Sequence, residues 1–191
     1  MKMHGPGRTR RERVYLAGFM GSGKSTIGPI LANALGYGFV DIDRAIERAA
    51  GKSIGEIFQD EGEERFRARE RDLVADVSTQ PRLVVALGGG TVLHPETLTI
   101  LRSTGILVYL KATPDQILRR VAQRNDRPML LNPHGERLED MELRMRVERL
   151  YSLREPLYEL AEITVLTEGR KIGPTVDELV RLLTPRLAPP A

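Results

Sequence analysis

The sequence predicts an α/β fold, a three-layer α/β/α sandwich around a central five-stranded parallel sheet. Two observations support this prediction: five short apolar segments rich in β-branched residues, and longer stretches of helical periodicity between them. Strands that alternate with helices pair in parallel through right-handed crossovers, so helices are expected on both faces of the sheet. The predicted strands occupy residues 14–17, 38–40, 83–87, 106–110 and 163–166.

Capping signals mark the helices that follow the second strand. Ser53 and Glu56 form a possible capping box, in which each side chain accepts a hydrogen bond from an N–H group at the helix start. This short helix is expected to end at Gly62. A second helix is expected over residues 63–79 and stops before Pro81.

Prolines mark the starts of two later helices, and a polar segment then interrupts the pattern. Pro95 and Pro114 stand at expected first turns. An N–H group has no partner within the helix there, so a proline at that position loses no hydrogen bond. Residues 123–138 contain two prolines and three arginines, and we interpret them as a lid over a binding site. Periodic apolar residues over 136–151 predict a long surface helix.

Length and composition favour one domain in the cytoplasm. A chain of 191 residues is long enough for one hydrophobic core and rather short for two. The apolar run after the basic start is only seven residues long, whereas a membrane span needs about 18, so we expect neither a membrane segment nor a secretory signal. The absence of cysteine excludes disulfides and thiolate metal sites and agrees with a cytoplasmic location.

The net charge of +3 comes from the beginning of the chain. Residues 1–13 contain five basic side chains and one acidic side chain, which leaves 24 basic and 25 acidic groups on the rest. We expect a basic tail over residues 1–13, either disordered or acting as a weak anion-binding arm. A single domain is expected over 14–185, followed by a flexible tail over 186–191. Because the rest of the chain is nearly neutral, we expect no nucleic acid partner. The sequence shows no clear exposed apolar stripe of the kind that would indicate a dimer, so we expect a monomer.

The stretch GFMGSGKS, residues 18–25, fits the phosphate-loop pattern G-x-x-x-x-G-K-[ST]. It follows an apolar strand and opens a helix, which is the context that this pattern requires. Glycines allow a tight turn whose N–H groups point at a phosphate, and the helix presents its positive N-terminus. The nucleotide-binding residues expected here are Gly21, Ser22, Gly23, Lys24, Ser25 and Thr26.

Within this loop, Lys24 is expected to bridge the β- and γ-phosphates of a nucleotide, and the Ser25 hydroxyl is expected to bind Mg²⁺. A nucleotide site alone does not define a reaction, because proteins with this loop include switches, motors and small-molecule kinases. No Asn/Thr-Lys-x-Asp element follows a late strand, which argues against a guanine-specific switch.

Two acidic residues, Asp41 and Asp43, lie at the carboxyl end of the second predicted strand. Ligands bind at this end of open parallel sheets, and residues two apart on extended backbone point the same way. We therefore expect both carboxylates to face the phosphate loop, with Asp41 holding Mg²⁺ through water and Asp43 accepting a hydrogen bond from an attacking hydroxyl. The alternative is a helix N-cap and a solvated acid.

Arg67 and the glycines at 88–90 are candidates for binding an acidic acceptor. Arg67 offers a planar fork suited to a carboxylate, and Glu70, three residues later, could hold it in place. Three consecutive glycines allow backbone to lie against a ligand. Taken alone, Arg67 would be interpreted as an exposed helix arginine.

Four blocks together resemble the shikimate kinases, over a stretch from about residue 13 to the last predicted helix. The blocks are GFMGSGKS, DIDRAIERAAGKSIGEIFQDEGEERFRARE, ALGGGTV, and RNDRP followed by SLREPLYE. The second block is the most specific, because few other families with a phosphate loop join these residues in this order. The resemblance implies the P-loop NTPase fold of the nucleoside monophosphate kinase type.

The resemblance also implies roles for individual residues. The shikimate contacts that it implies are Asp43, Arg67, Gly89 and Arg154. Among these, the two arginines would clamp the carboxylate and Asp43 would take the ring hydroxyls. Arg127, in the lid, matches the arginine that reaches the transferring phosphoryl group, and Arg120 matches the arginine beside the adenine.

This resemblance implies an ATP-dependent kinase that phosphorylates the 3-hydroxyl of shikimate, in the pathway to chorismate and the aromatic amino acids. ATP and Mg²⁺ are the implied cofactors, and the implied catalytic residues are Lys24, Asp43 and Arg127. Two alternatives stay open at this point. One is a related small-metabolite kinase, such as one for gluconate, and the other is a nucleotide-binding regulator that transfers no phosphate.

Overall fold

The computed structural model describes residues 11–121 and 138–188, and it confirms the predicted α/β fold. Five parallel strands form one sheet in the order β2-β3-β1-β4-β5. The strands are β1 (Arg13–Ala17), β2 (Gly38–Asp41), β3 (Leu83–Ala86), β4 (Ile106–Lys111) and β5 (Ile163–Leu166). Each predicted strand is found, and its boundaries agree within one residue.

Helices cover both faces of this sheet. In the described parts of the chain they are α1 (Lys24–Leu35), α2 (Ile42–Ala50), α3 (Ile54–Val77), α4 (Pro95–Thr104), α5 (Pro114–Val121), α6 (Asp140–Tyr158) and α7 (Ile172–Leu183). Alternate residues of β1 face opposite cores: Val14 and Leu16 pack with α1 and α7, whereas Tyr15 and Ala17 pack with helices α2 to α6. This is the three-layer sandwich.

The predicted helix signals around residues 53–79 are confirmed. Ser53 accepts a hydrogen bond from the Glu56 N–H, and the Glu56 carboxylate accepts one from the Ser53 N–H, which completes the capping box. The backbone of α3 breaks at Gly62, where φ is 82° and ψ is 168°. Only glycine adopts this conformation readily, so the first part of α3 ends where the sequence predicts.

The starts of α4 and α5 agree with the sequence, but α6 differs from its prediction at both ends. Pro95 and Pro114 are the first residues of α4 and α5, as predicted. The helix predicted over 136–151 instead begins at Asp140, after the extended N-cap Glu139, and continues to Tyr158. It contains Pro156, whose missing N–H normally weakens a helix interior. Burial of Arg154 and Tyr158 on this last turn offsets that cost.

The folded region extends slightly beyond residues 14–185. Arg13 already belongs to β1, and the Ala188 N–H donates to the Arg11 carbonyl over 3.1 Å. The rest of the two predicted tails, and almost all of the predicted lid at 123–138, lie outside the described residues. None of the helices within 11–121 and 138–188 is long and apolar enough to cross a membrane.

The strand order places a binding site beside the carboxyl end of β1. This strand pairs with β3 on one side and with β4 on the other, so the chain changes direction across the sheet at β1. In open parallel sheets, such a switch point leaves a crevice at the carboxyl ends of the strands. The segments that follow β1, β2 and β3 are the phosphate loop, the start of α2 and the three glycines.

Candidate active site

The phosphate loop has the strand-loop-helix geometry that the sequence predicts. Gly18, Gly21 and Gly23 all have positive φ, of 143°, 75° and 104°, a region that favours glycine. The side chain of Lys24 lies back across the loop, and its ammonium group donates to the carbonyls of Gly18 at 2.7 Å and Phe19 at 3.1 Å. The lysine is therefore already positioned over the loop that would hold a phosphate.

Two cavities, each of about 420 Å³, adjoin at this loop. We call them the loop cavity and the arginine cavity. Beside the phosphate loop, the loop cavity is lined by Arg120, Val121, Thr167, Arg170, Ile172 and Thr175. The arginine cavity contains Arg44, Arg67, Arg146 and Arg154. The residues that line both cavities are Met20, Ser25, Asp41, Asp43 and Gly89.

Asp41 and Asp43 reach the boundary between the cavities, but not through the backbone that the sequence suggested. Asp41 ends β2 and caps α2, where its carboxylate accepts a hydrogen bond from the Arg44 N–H over 3.2 Å. Asp43 lies in the first turn of α2, so the expectation that both residues stand on extended backbone is wrong. The N-cap alternative holds for Asp41, and the cap itself turns the chain so that both carboxylates line the cavities.

Arg67 is held by two carboxylates, and the predicted contact with Glu70 is confirmed. One guanidinium nitrogen donates to Glu70 over 2.8 Å, and another donates to Glu63 over 3.0 Å. The Arg67 side chain is only 13% exposed, so it is not the exposed helix arginine that its position alone would suggest. Burial lowers the pKa of Arg67, but the two carboxylates raise it above the ordinary value, which keeps the group cationic.

Glu70 is the buried centre of this arrangement. It is 1% exposed, and the oxygen that does not face Arg67 accepts a hydrogen bond of 2.5 Å from the Thr91 hydroxyl. A buried carboxylate needs such partners, because an unpaired charge in the protein interior is costly. The sequence did not single out Thr91, although it follows the three glycines directly.

The glycines are required because charged groups lie against their backbone. A Cβ atom on Gly90 would stand 2.7 Å from a guanidinium nitrogen of Arg67. A Cβ atom on Gly88 would stand 2.5 Å from a Glu70 oxygen and 2.8 Å from an Asp43 oxygen. The backbone after β3 therefore brings the side chains of α2 and α3 together, as expected for close approach to bare backbone.

Arg154 enters the arginine cavity from α6. It is 6% exposed, and one guanidinium nitrogen donates to the Gly89 carbonyl over 3.3 Å. Its guanidinium also lies over the ring of Phe19, 5.7 Å from the centroid, and Phe19 belongs to the phosphate loop. The structure thus brings together all four of the residues that the resemblance assigned to one acceptor, namely Asp43, Arg67, Gly89 and Arg154.

Arg120 closes the far side of the loop cavity. It donates to the carbonyl of Gly21 over 2.8 Å and to that of Thr167 over 3.1 Å, so it connects α5, the phosphate loop and the end of β5. Thr167, Ile172 and Thr175 also line this cavity, and no sequence motif identified them beyond their place after a strand end. Arg127, the remaining predicted residue, lies outside the described residues.

Comparison with known proteins gives one consistent family. The sequence model of the shikimate kinase family matches residues 20–184. A shikimate kinase of Chlorobium limicola is 45% identical over 170 residues, which is 89% of this chain and 85% of the relative. The structure of a shikimate kinase from Acinetobacter baumannii in complex with shikimate superposes with a TM-score of 0.82 at 33% identity, and the match covers 93% of this chain and 96% of that one.

More distant likenesses extend to the fold alone. A gluconokinase from Sinorhizobium meliloti superposes with a TM-score of 0.56 at 17% identity, over 92% of this chain and 94% of its own. This low identity carries no statement about substrate. The close relatives and the family match over most of the length are decisive: the chain belongs to the shikimate kinase family.

Proposed function

We propose that this protein transfers the γ-phosphoryl group of ATP to the 3-hydroxyl of shikimate, giving ADP and shikimate 3-phosphate. One observation carries the proposal. The loop cavity, beside the phosphate loop, and the arginine cavity meet at Ser25, Asp41 and Asp43. A donor phosphate and an acceptor hydroxyl placed in these cavities would come together at that boundary, which is what phosphoryl transfer needs most.

ATP would occupy the loop cavity. The N–H groups of the loop and the N-terminus of α1 would hold the phosphates, while Arg120 and the residues around Thr167 would lie beside the base. Lys24 would exchange its hydrogen bonds to the Gly18 and Phe19 carbonyls for bonds to phosphate oxygens. Its charge then lies where negative charge shifts during transfer, so it stabilises the transition state.

The residues at the boundary fit a magnesium ion. Mg²⁺ prefers oxygen ligands and binds through one or two carboxylates, substrate phosphates and water. The oxygen donors at the boundary are the Ser25 hydroxyl and the Asp41 carboxylate, the latter acting through water. When bound, the ion would neutralise negative charge on the phosphates.

Shikimate would occupy the arginine cavity with its carboxylate between Arg67 and Arg154. Both arginines are fixed before any ligand arrives, Arg67 by Glu63 and Glu70 and Arg154 by the Gly89 carbonyl. Preorganised guanidinium groups lose little freedom on binding, which favours affinity for an acid. A regulator without transferase activity would not need this second cavity.

Asp43 would orient the attacking hydroxyl. Its position in the first turn of α2 places its carboxylate at the boundary between the cavities, beside the backbone of Gly88. The hydroxyl oxygen forms a bond to the γ-phosphorus, the bond from that phosphorus to the β–γ bridging oxygen breaks, and the hydroxyl proton leaves along the hydrogen bond to Asp43. Positioning contributes more here than base strength, because the transition state is loose.

Several expectations that complete this picture stay predictions. Arg127, in the lid predicted at 123–138, would reach the transferring phosphoryl group, and closure of that lid would exclude water. Four further expectations also stay predictions. They are one kinase domain over 14–185 with short tails, a monomeric state, no nucleic acid or membrane partner, and a cytoplasmic location.

Replacing Gly90 with alanine tests whether Arg67 binds the acid. The new Cβ atom would stand 2.7 Å from a guanidinium nitrogen of Arg67 and must displace it. We expect the KM for shikimate to rise by about tenfold, with the KM for ATP nearly unchanged, because one charge-assisted contact is misplaced. The control is Gly173→Ala, where no atom lies within 4 Å of the added methyl group. Equal shikimate KM values in the two variants would contradict the role of Arg67.

A panel of hydroxy acids tests the proposed reaction. Purified protein is supplied with ATP and Mg²⁺, and ADP release is followed after addition of shikimate, gluconate or no acid. We expect shikimate to stimulate ADP release strongly and gluconate to leave it near the background. Stimulation by gluconate alone would favour the related small-metabolite kinase, and stimulation by neither acid would favour a regulator.

A further inference from the structure

A buried tyrosine on α6 binds the same carbonyl oxygen as Arg154. The Tyr158 hydroxyl donates to the Gly89 carbonyl over 2.5 Å, and Arg154 donates to that oxygen over 3.3 Å. The two residues are one helical turn apart, so they lie on one face of α6. Tyr158 is fully buried, and Gly89 lines both cavities.

The position of this hydroxyl is fixed by the sheet. The Tyr158 ring stacks on the ring of Tyr109 in β4, with centroids 5.2 Å apart and planes inclined by 30°. Tyr109 in turn bonds the hydroxyl of Tyr151 over 3.2 Å. Burial raises the pKa of Tyr158, an effect that the charge of Arg154 and its hydrogen bond to the hydroxyl only partly oppose, so the hydroxyl stays protonated and able to donate.

The shared carbonyl determines how firmly Arg154 is tied to the backbone. A carbonyl oxygen has two lone pairs, and here one tyrosine and one arginine use them. Tyr158 bonds this carbonyl and also the Arg154 side chain, so its hydroxyl connects the guanidinium to the Gly89 peptide. Without the hydroxyl, the Gly89 carbonyl and Arg154 would each lose a partner, and the guanidinium would be less firmly positioned for the acid.

We propose that Tyr158 is a positioning residue for the acid substrate: its hydroxyl holds the Gly89 peptide and the Arg154 guanidinium in the place where the carboxylate binds. This inference rests on the proposed function, and it concerns the shikimate side of the site alone. It therefore predicts a change in acid binding without a change in nucleotide binding. A purely structural role would affect both ligands together.

Tyr158→Phe is the test, with Tyr15→Phe as the matched control. Each substitution removes one buried tyrosine hydroxyl and keeps the ring, and the Tyr15 hydroxyl bonds Thr104 over 2.8 Å, outside both cavities. Binding of shikimate and of ADP is measured by calorimetry, since the chain has no tryptophan to report binding by fluorescence. Thermal midpoints are recorded for both variants, and we expect similar losses of stability.

We expect Tyr158→Phe to weaken shikimate binding by about tenfold and to leave ADP binding within about twofold of wild type, as for loss of one hydrogen bond at a buried acceptor. Tyr15→Phe should leave both affinities unchanged. Equal shikimate affinity in wild type and Tyr158→Phe overturns the inference, as does parallel weakening of shikimate and ADP. Wild-type protein that binds no shikimate contradicts the proposed function itself, and the inference falls with it.

Discussion

Asp43→Asn is expected to lower kcat by about 10²–10⁴-fold, the range for removal of a charged group that both orients the attacking hydroxyl and accepts its proton. Asparagine has nearly the same size, so it fills the same space beside Gly88. Its amide oxygen is uncharged and can no longer assist departure of the hydroxyl proton. We expect ADP to bind nearly as well as to wild type, because the phosphate loop is untouched. Steady-state kinetics and calorimetric ADP binding measure the two quantities.

Asp115→Asn is the matched control for this variant. Asp115 is also an acidic residue in the first turn of a helix, α5, and its exposed carboxylate pairs with Arg144 outside both cavities. Both substitutions therefore remove a favourable charge from a helix N-terminus. We expect Asp115→Asn to retain wild-type turnover. Full activity of Asp43→Asn would contradict the role of Asp43, and joint loss of turnover and ADP binding would point to a damaged fold.

Lys24→Ala is expected to lower kcat by about 10²–10³-fold, as for removal of one preorganised donor that stabilises transition-state charge. The lysine already lies across the phosphate loop through its bonds to Gly18 and Phe19. Its removal takes a positive charge from the place where the β- and γ-phosphates would lie, so ADP binding should weaken as well. Shikimate binding should change little, because Lys24 does not line the arginine cavity.

The control for Lys24→Ala is Lys52→Ala. Lys52 forms an exposed ion pair of 2.6 Å with Asp60 and lies outside both cavities, so its removal changes the net charge by the same amount. Exposed ion pairs contribute little to stability, and we expect wild-type kinetics. Unchanged kinetics in Lys24→Ala would remove the phosphate-loop assignment. Equal effects of the two variants would indicate a general effect of charge.

Local signals in the sequence were sufficient for most of the fold. The β-branched runs predicted every strand within one residue, and Ser53, Gly62, Pro95 and Pro114 marked helix boundaries through their own backbone chemistry. The end of α6 could not be predicted in this way. Its last turn continues through Pro156 because Tyr158 is buried against Tyr109 of β4 and Arg154 against Gly89, and these long-range contacts are not contained in the periodicity.

The candidate site could likewise be predicted only in part. Motif spacing and the family resemblance identified Asp43, Arg67, Gly89 and Arg154, which the structure places around one cavity. The extended backbone assumed for Asp43 was wrong. Asp41 caps α2, which begins at Ile42, so Asp43 lies in the first turn of that helix.

Thr91 and Tyr158 were not identified as part of the site. Their roles depend on contacts between α3, α6 and the segment after β3, which are far apart in the sequence.

The most direct measurement of the central claim is the identity and amount of the products. The protein is incubated with ATP, Mg²⁺ and shikimate, ADP is quantified, and the phosphorylated acid is identified by phosphorus and proton NMR. We predict one shikimate 3-phosphate for each ADP, with the phosphate on the oxygen that Asp43 orients. ADP that accumulates with inorganic phosphate, or a phosphate on another oxygen of the acid, would contradict the proposed reaction.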